Sequence, residues 1–129
     1  MKRLLFIILL LGLSGCTAAK IQSLEQFYKN AKIEAVDKVV IQDGSTGASK
    51  TILEQEQISE FLSLIKDIEF TPQDHQEQRV GWRYGITLLD GEKEFKFTLN
   101  EIDDIYYDSN PDIHPIVDEY YKQLAIEEK

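Results

Sequence analysis

Oxygen-bearing side chains crowd one stretch of the sequence. Asp108, Asn110, Asp112 and Glu119 fall at the first, third, fifth and twelfth places of a window opening at Asp108. Those are ligand places of a calcium loop, where carboxylate and amide oxygens surround a hard cation. The window departs from that pattern where its geometry is strictest. The sixth place needs glycine for a sharp turn and is Ile113, and Pro111 and Pro115 restrict the backbone. The main reading is therefore an Asp/Asn-rich helix start whose side chains satisfy free backbone N–H groups. Weak cation binding is the alternative. His114, beside these carboxylates, is the candidate general base, and a capping-region histidine is the plainer reading. His75 has no companions at ligand spacing and reads as a surface residue.

Two further groups carry chemistry-capable side chains. Asp43-Gly44-Ser45-Thr46-Gly47 superficially resembles the Asp-Thr-Gly of aspartic proteases. That chemistry needs Asp directly before Thr-Gly and two carboxylates sharing a proton. Here Gly44 and Ser45 intervene and no second copy exists, so the stretch reads as a glycine-permitted turn. Its N–H groups could also face an anion. No serine stands in a nucleophile-elbow motif. Trp82, Arg83 and Tyr84 open an alternating run, which places Trp82 and Tyr84 on one face and Arg83 on the other. A half-buried sheet face uses such aromatics as core. The competing reading is a ligand pocket at Trp82, Arg83 and Tyr84.

Periodicity gives the elements that position these residues. Ile21, Leu24, Tyr28 and Ala31 predict a short amphipathic helix over 21–34. Val36, Val39, Val40 and Ile41 predict a strand over 36–42 that enters the glycine-rich turn and returns over 50–53. Ile58, Phe61, Leu62, Ile65 and Ile68 make one helical face, predicting a helix over 54–68 with Glu54 and Glu56 at its positive end. Residues 71–79 read as a polar loop. Residues 82–89, the pair Asp90-Gly91, and Phe95, Phe97 and Leu99 predict an antiparallel hairpin with an aromatic face. Residues 102–107 predict a last strand, broken by Asp108-Ser109-Asn110-Pro111. Ile113, Ile116, Val117, Tyr120, Tyr121 and Leu124 then fit a C-terminal helix capped near Asn110 or Asp112, with Pro111 and Pro115 before or within its first turn.

The expected fold is α+β: an antiparallel sheet of about four to five strands with two main helices on one face. It follows an N-terminal signal and a short linker helix. The divisions expected are a signal over 1–15, a tether with the short helix over 16–35, and one domain over 36–129.

The chain has 129 residues and a formal charge of −9. One ordinary domain of this size can bury a real core. Its acidity argues against nucleic acid, whose phosphates need Lys and Arg, and permits cationic partners. No cofactor signature is present.

Lys2 and Arg3, an apolar run over 4–11, small residues and then the single cysteine follow the order of a secretory signal. The run is shorter than the roughly 20 residues that span a bilayer. With Cys16 directly after Leu13-Ser14-Gly15, the segment resembles the lipobox of bacterial lipoproteins. The resemblance implies cleavage between Gly15 and Cys16, a diacylglyceryl Cys16, and a lipid-anchored place on the outer face of the cell membrane. The pieces Asp43-Gly44-Ser45-Thr46-Gly47, Gly81-Trp82-Arg83-Tyr84 and Ile102-Asp103-Asp104-Ile105-Tyr106-Tyr107 look like those of small lipoproteins of unknown function in Gram-positive, Bacillus-type bacteria. That family supplies no activity or site residues.

These readings favour a non-enzymatic binding or interaction module of the cell envelope, with a protein partner there. The alternatives are a small-ligand or ion-binding lipoprotein and, behind it, a hydrolase using His114. The chain is small for a two-lobed solute-capture protein.

Overall fold

Two four-stranded antiparallel sheets and three helices are seen in the computed structural model, which describes residues 20–77 and 81–129. The expected signal segment, with Gly15 and Cys16, lies outside the described residues. In chain order the elements are β1 (Gln22–Ser23), α1 (Leu24–Asn30), β2 (Lys38–Asp43), β3 (Ser49–Ile52), α2 (Gln55–Ile65) and β4 (Glu69–Pro72). They continue with β5 (Tyr84–Asp90), β6 (Lys93–Thr98), β7 (Glu101–Ile102), β8 (Ile105–Asn110) and α3 (Ile113–Gln123). One sheet runs β1-β4-β8-β7, the other β3-β2-β5-β6. The α+β antiparallel class stands, with eight strands in two sheets where a single sheet of four to five was expected.

Short strands account for the difference. β4 falls at the start of the expected polar loop, yet it lies between β1 and β8 in the first sheet. Only Phe70 of its four residues is buried, too little for a period-2 signal, and Pro72 sits at its end, where a missing donor is tolerated. Beyond Pro72 the amide of Gln76 continues the pairing, accepting from the Tyr106 N–H at 2.8 Å and donating to its carbonyl at 3.0 Å. Residues 102–107 are a hairpin rather than one strand. Asp103 and Asp104 have φ of +51° and +67° and form a two-residue loop between the paired Ile102 and Ile105. Positive φ at both loop residues is the type I′ requirement, and Asp is among the few non-glycine residues that tolerate it.

The helices follow their apolar stripes but are shorter than predicted. Ser23 and Gln26 form a reciprocal capping box at the start of α1, so Ile21 lies outside the helix and is 58% exposed. Leu24, Phe27 and Tyr28 carry its buried face. Residues 22–33, read as part of the tether and linker, thus contribute to the core. α2 ends at Ile65, and the connector that follows it is held to the start of α1. Leu24 N–H bonds the Ile68 carbonyl and Glu25 N–H the Lys66 carbonyl, each at 3.0 Å. Ile68 stays buried on the connector. α3 starts where expected: Asp112 is its N-cap and accepts from the His114 N–H at 3.1 Å. Pro111 precedes the helix and Pro115 lies in its first turn.

One core joins both sheets and all three helices. The rings of Phe27, Phe70 and Tyr107 meet edge to face, and Phe61 of α2 packs on Tyr120 of α3 at 4.9 Å. In the second sheet Val39, Ile41, Ile52, Tyr84, Ile86 and Leu88 point into this core. The opposite face of that sheet stays open. The β5–β6 loop is Gly91-Glu92, one place later than predicted, because Asp90 is still paired to Lys93. Gly91, at φ +63°, supplies the first loop residue. Asp90 accepts from the N–H groups of Glu34 and Ala35, and Asp37 from that of Gly91, which fixes this hairpin against the chain entering β2.

Candidate functional site

Two features converge on the stretch from Trp82 to Tyr84. Gly81, at φ +88°, turns the chain before Trp82, and β5 begins only at Tyr84. The alternation therefore does not reach back to Trp82, and Trp82 and Tyr84 do not share a face as expected. Tyr84 is buried, 1% exposed. The Trp82 ring lies over Gly85 on the open face of the sheet, 43% exposed. A Cβ on Gly85 would come within 3.3 Å of that ring. A Cβ on Gly44 would come within 2.1 Å of the Trp82 carbonyl and 2.6 Å of its ring. Gly44 also donates its N–H to the Arg83 carbonyl at 2.7 Å. Glycine at 44 is thus required for close approach, and the β2–β3 loop forms the seat of Trp82.

The open face forms a groove of about 730 Å³. Its floor is built in cross-strand rows: Lys38, Leu89 and Glu94; Val40, Thr87 and Lys96; Gln42, Gly85 and Thr98. Trp82 lines it too, and Glu101, Asp103 and Asp104 of the β7–β8 hairpin form an acidic border. Sequence reasoning passed over this face. The signal was Val40 and Leu89 at outward places of strands whose other outward residues are mostly polar.

The second feature is a polar cluster at the edge of the core. Arg83 donates from Nη1 to Asp43 Oδ1 and from Nη2 to Asp118 Oδ1 at 3.2 Å. Its guanidinium lies over the Tyr84 ring at 4.4 Å from the centroid. The Tyr84 hydroxyl donates to the same Asp118 oxygen at 2.7 Å. Burial opposes charge on Asp43, but the Ser45 hydroxyl and N–H together with Arg83 outweigh it and hold the carboxyl low. Tyr84 and Lys122 hold Asp118 low. Burial, then the bond to Asp118, pushes Tyr84 up to about 12. Arg83 is thus neutralised by two carboxylates from β2 and α3, and it joins the turn to the helix. Asp118 has no signal in the sequence, because only the fold brings α3 beside Arg83.

The other sequence candidates are dispersed. Asp108 and Asn110 lie in β8, paired with Thr71 and Glu69 of β4. Asp112 caps α3, and Glu119 accepts from Gln123 on the same helix at 3.2 Å. Extended pairing at Asp108 and Asn110 replaces the looped backbone a calcium site needs. Among the described residues no group of three or more His, Cys, Asp or Glu is placed to hold a metal ion. His114 Nε2 lies 2.9 Å from Asn100 Oδ1 and borders a small depression with Arg83, Asp118 and Lys122. Among the described residues no helix is long and apolar enough to cross a membrane. Compared with protein-family models, curated proteins and solved structures, the chain matches none.

Proposed function

We propose that this protein is a lipid-anchored, extracytoplasmic module of the cell envelope that binds another protein through the open face of its second sheet. The observation that carries the binding reading is the groove on that face, with Trp82 seated at Gly44 and Gly85 and half-exposed. Exposed aromatic anchors in a concavity are where binding energy concentrates. The location rests on the sequence Leu13-Ser14-Gly15-Cys16 behind Lys2, Arg3 and an apolar run. A diacylated Cys16 holds a protein stably, where a single acyl chain holds it marginally.

The test is an in-cell crosslink and pull-down of the tagged, anchored protein, with Cys16→Ala as the location control. Recovery of one envelope protein with the anchored form, and its loss in Trp82→Ala, is the expected result. Failure to recover any protein from membranes that contain the bait would overturn the module reading. A second reading, capture of a small ligand, draws on the groove volume of about 730 Å³, within the usual span of ligand sites.

A further inference from the structure

We infer that the groove takes an extended, lysine- or arginine-bearing segment of its partner protein; this rests on the binding-module reading and names the chemistry of the occupant. Charge complementarity is the first argument. Glu94, Glu101, Asp103 and Asp104 face the groove against Lys38 and Lys96, on a chain that is already acidic. None of the four carboxylates makes an ion pair with a cation of the chain among the described residues.

The groove also offers the other surfaces a cationic side chain needs. The long stems of Lys and Arg pack on apolar surface while their heads seek charge. Val40, Thr87 and Leu89 give an aliphatic floor, and Trp82 gives an aromatic ring, the best partner for a cation. Carboxylates and an indole together select an ammonium or guanidinium over an anion.

The backbone argues for a polypeptide rather than a small cation. β6 is an edge strand of its sheet. Asp90 and Lys93 close the two-residue hairpin as a bonded pair, so Glu94, Lys96 and Thr98 turn their backbone groups away from β5. An extended segment finds donors and acceptors there, beside the groove its side chains enter.

Trp82 is the single tryptophan of the chain, so its emission reports on this groove directly. The experiment titrates the full-length protein in detergent with an alternating lysine–valine octapeptide, its glutamate–valine counterpart, and spermine. The expected result is a saturable, salt-sensitive change in Trp82 emission with the lysine peptide. Binding of the glutamate peptide, of spermine, and of the lysine peptide to a Glu101→Gln/Asp103→Asn/Asp104→Asn variant should each be weaker by about tenfold or more. Asn accepts the left-handed backbone at 103 and 104 as Asp does, so the variant keeps the hairpin. No response at millimolar lysine peptide, equal binding of the glutamate peptide or spermine, or an unchanged variant overturns the inference. A cellular partner whose capture survives both Trp82→Ala and the triple substitution leaves the binding module standing and removes this groove as its site.

Discussion

Lys50 Nζ donates to the carbonyl of Tyr121 at 2.7 Å and lies 4.5 Å from the centroid of that residue's ring. A second bond reaches the Leu124 carbonyl at 2.9 Å. Lys50 is 8% exposed, so a buried cation on β3 holds the end of α3. The last carbonyls of a helix lack intrahelical donors and carry the negative end of its dipole, and a lysine answers both. The tail beyond is held in the same place. Tyr121 donates its hydroxyl to Glu128 at 2.7 Å, and Lys129 N–H bonds the Ser49 carbonyl at 2.9 Å. The tail thereby covers part of the outer edge of β3, a place where an exposed strand invites foreign pairing.

Lys50→Met keeps the apolar stem and removes the donors. Two buried carbonyls then keep only their backbone donors, Leu124 N–H for Tyr121 and Ile126 N–H for Leu124, and losing the two charge-assisted bonds costs about 1–3 kcal/mol. Denaturant unfolding should show that loss. Amide exchange over residues 124–129 should speed up before the rest of the chain responds. Unchanged stability with unchanged exchange would mean that the tail is held by its other bonds alone.

The Arg83 cluster predicts how stability falls in acid. Asp43 and Asp118 have folded values below the ordinary carboxylate value of about 3.9. A lowered value means that the unfolded chain binds protons first. The stabilisation is therefore complete above the ordinary value and is lost as pH falls through the folded values. The midpoint of denaturant unfolding should drop steeply below about pH 4, and an Asp43→Asn/Asp118→Asn variant should start lower but drop less. Parallel curves for the two proteins would remove the cluster as the source of acid sensitivity.

Gly44→Ala and Gly85→Ala separate backbone clash from side-chain crowding. At 44 the new methyl meets the Trp82 carbonyl at 2.1 Å, and backbone has to shift. Overpacking of that kind costs about 1–3 kcal/mol. At 85 the methyl meets only the ring, at 3.3 Å, and a small tilt relieves it. Gly44→Ala should lower stability and move the Trp82 emission toward that of a solvated indole. Gly85→Ala should change the emission slightly and stability by less than about 1 kcal/mol. If Gly44→Ala left both readings unchanged, the seat described for Trp82 would be wrong.

The elements legible in the sequence are those with long, periodic faces. Ile58, Phe61 and Ile65 marked α2, Val117 and Tyr121 marked α3, and Phe95 and Phe97 marked β6. β4 was not legible, because four residues with one buried side chain carry no period. The β7–β8 turn was hidden because Asp103-Asp104 lacks the glycine that usually announces a type I′ loop. The site was legible only in part. Trp82 and Arg83 stood out by type, but Gly81 turns Trp82 to the other face, and that depends on one backbone angle. The partners of Arg83 come from β2 and α3, far apart in sequence, and no local pattern could join them.

The tyrosines give a last prediction, at the alkaline end. Burial, then Glu25 and Asp67, pushes Tyr28 up to about 12, and burial with Asp118 does the same for Tyr84. Burial and then Glu128 raises Tyr121 further, and burial raises Tyr107 and Tyr120. A raised folded value means that the native state keeps its proton longer. This stability is complete below the ordinary tyrosine value of about 10 and is lost as pH rises through the folded values. Tyrosinate absorbance should therefore rise late in the native protein, with most of the signal appearing together with loss of near-ultraviolet circular dichroism. In denaturant the same groups should titrate near about 10. Tyr84→Phe frees Asp118 of one bond and removes a neighbour that helps to raise Tyr121, so among the remaining tyrosines Tyr121 should titrate slightly earlier. A native titration with its main step at the denatured value would show that these hydroxyls are solvated, which is incompatible with the packing of Tyr28, Tyr84 and Tyr121 in the core.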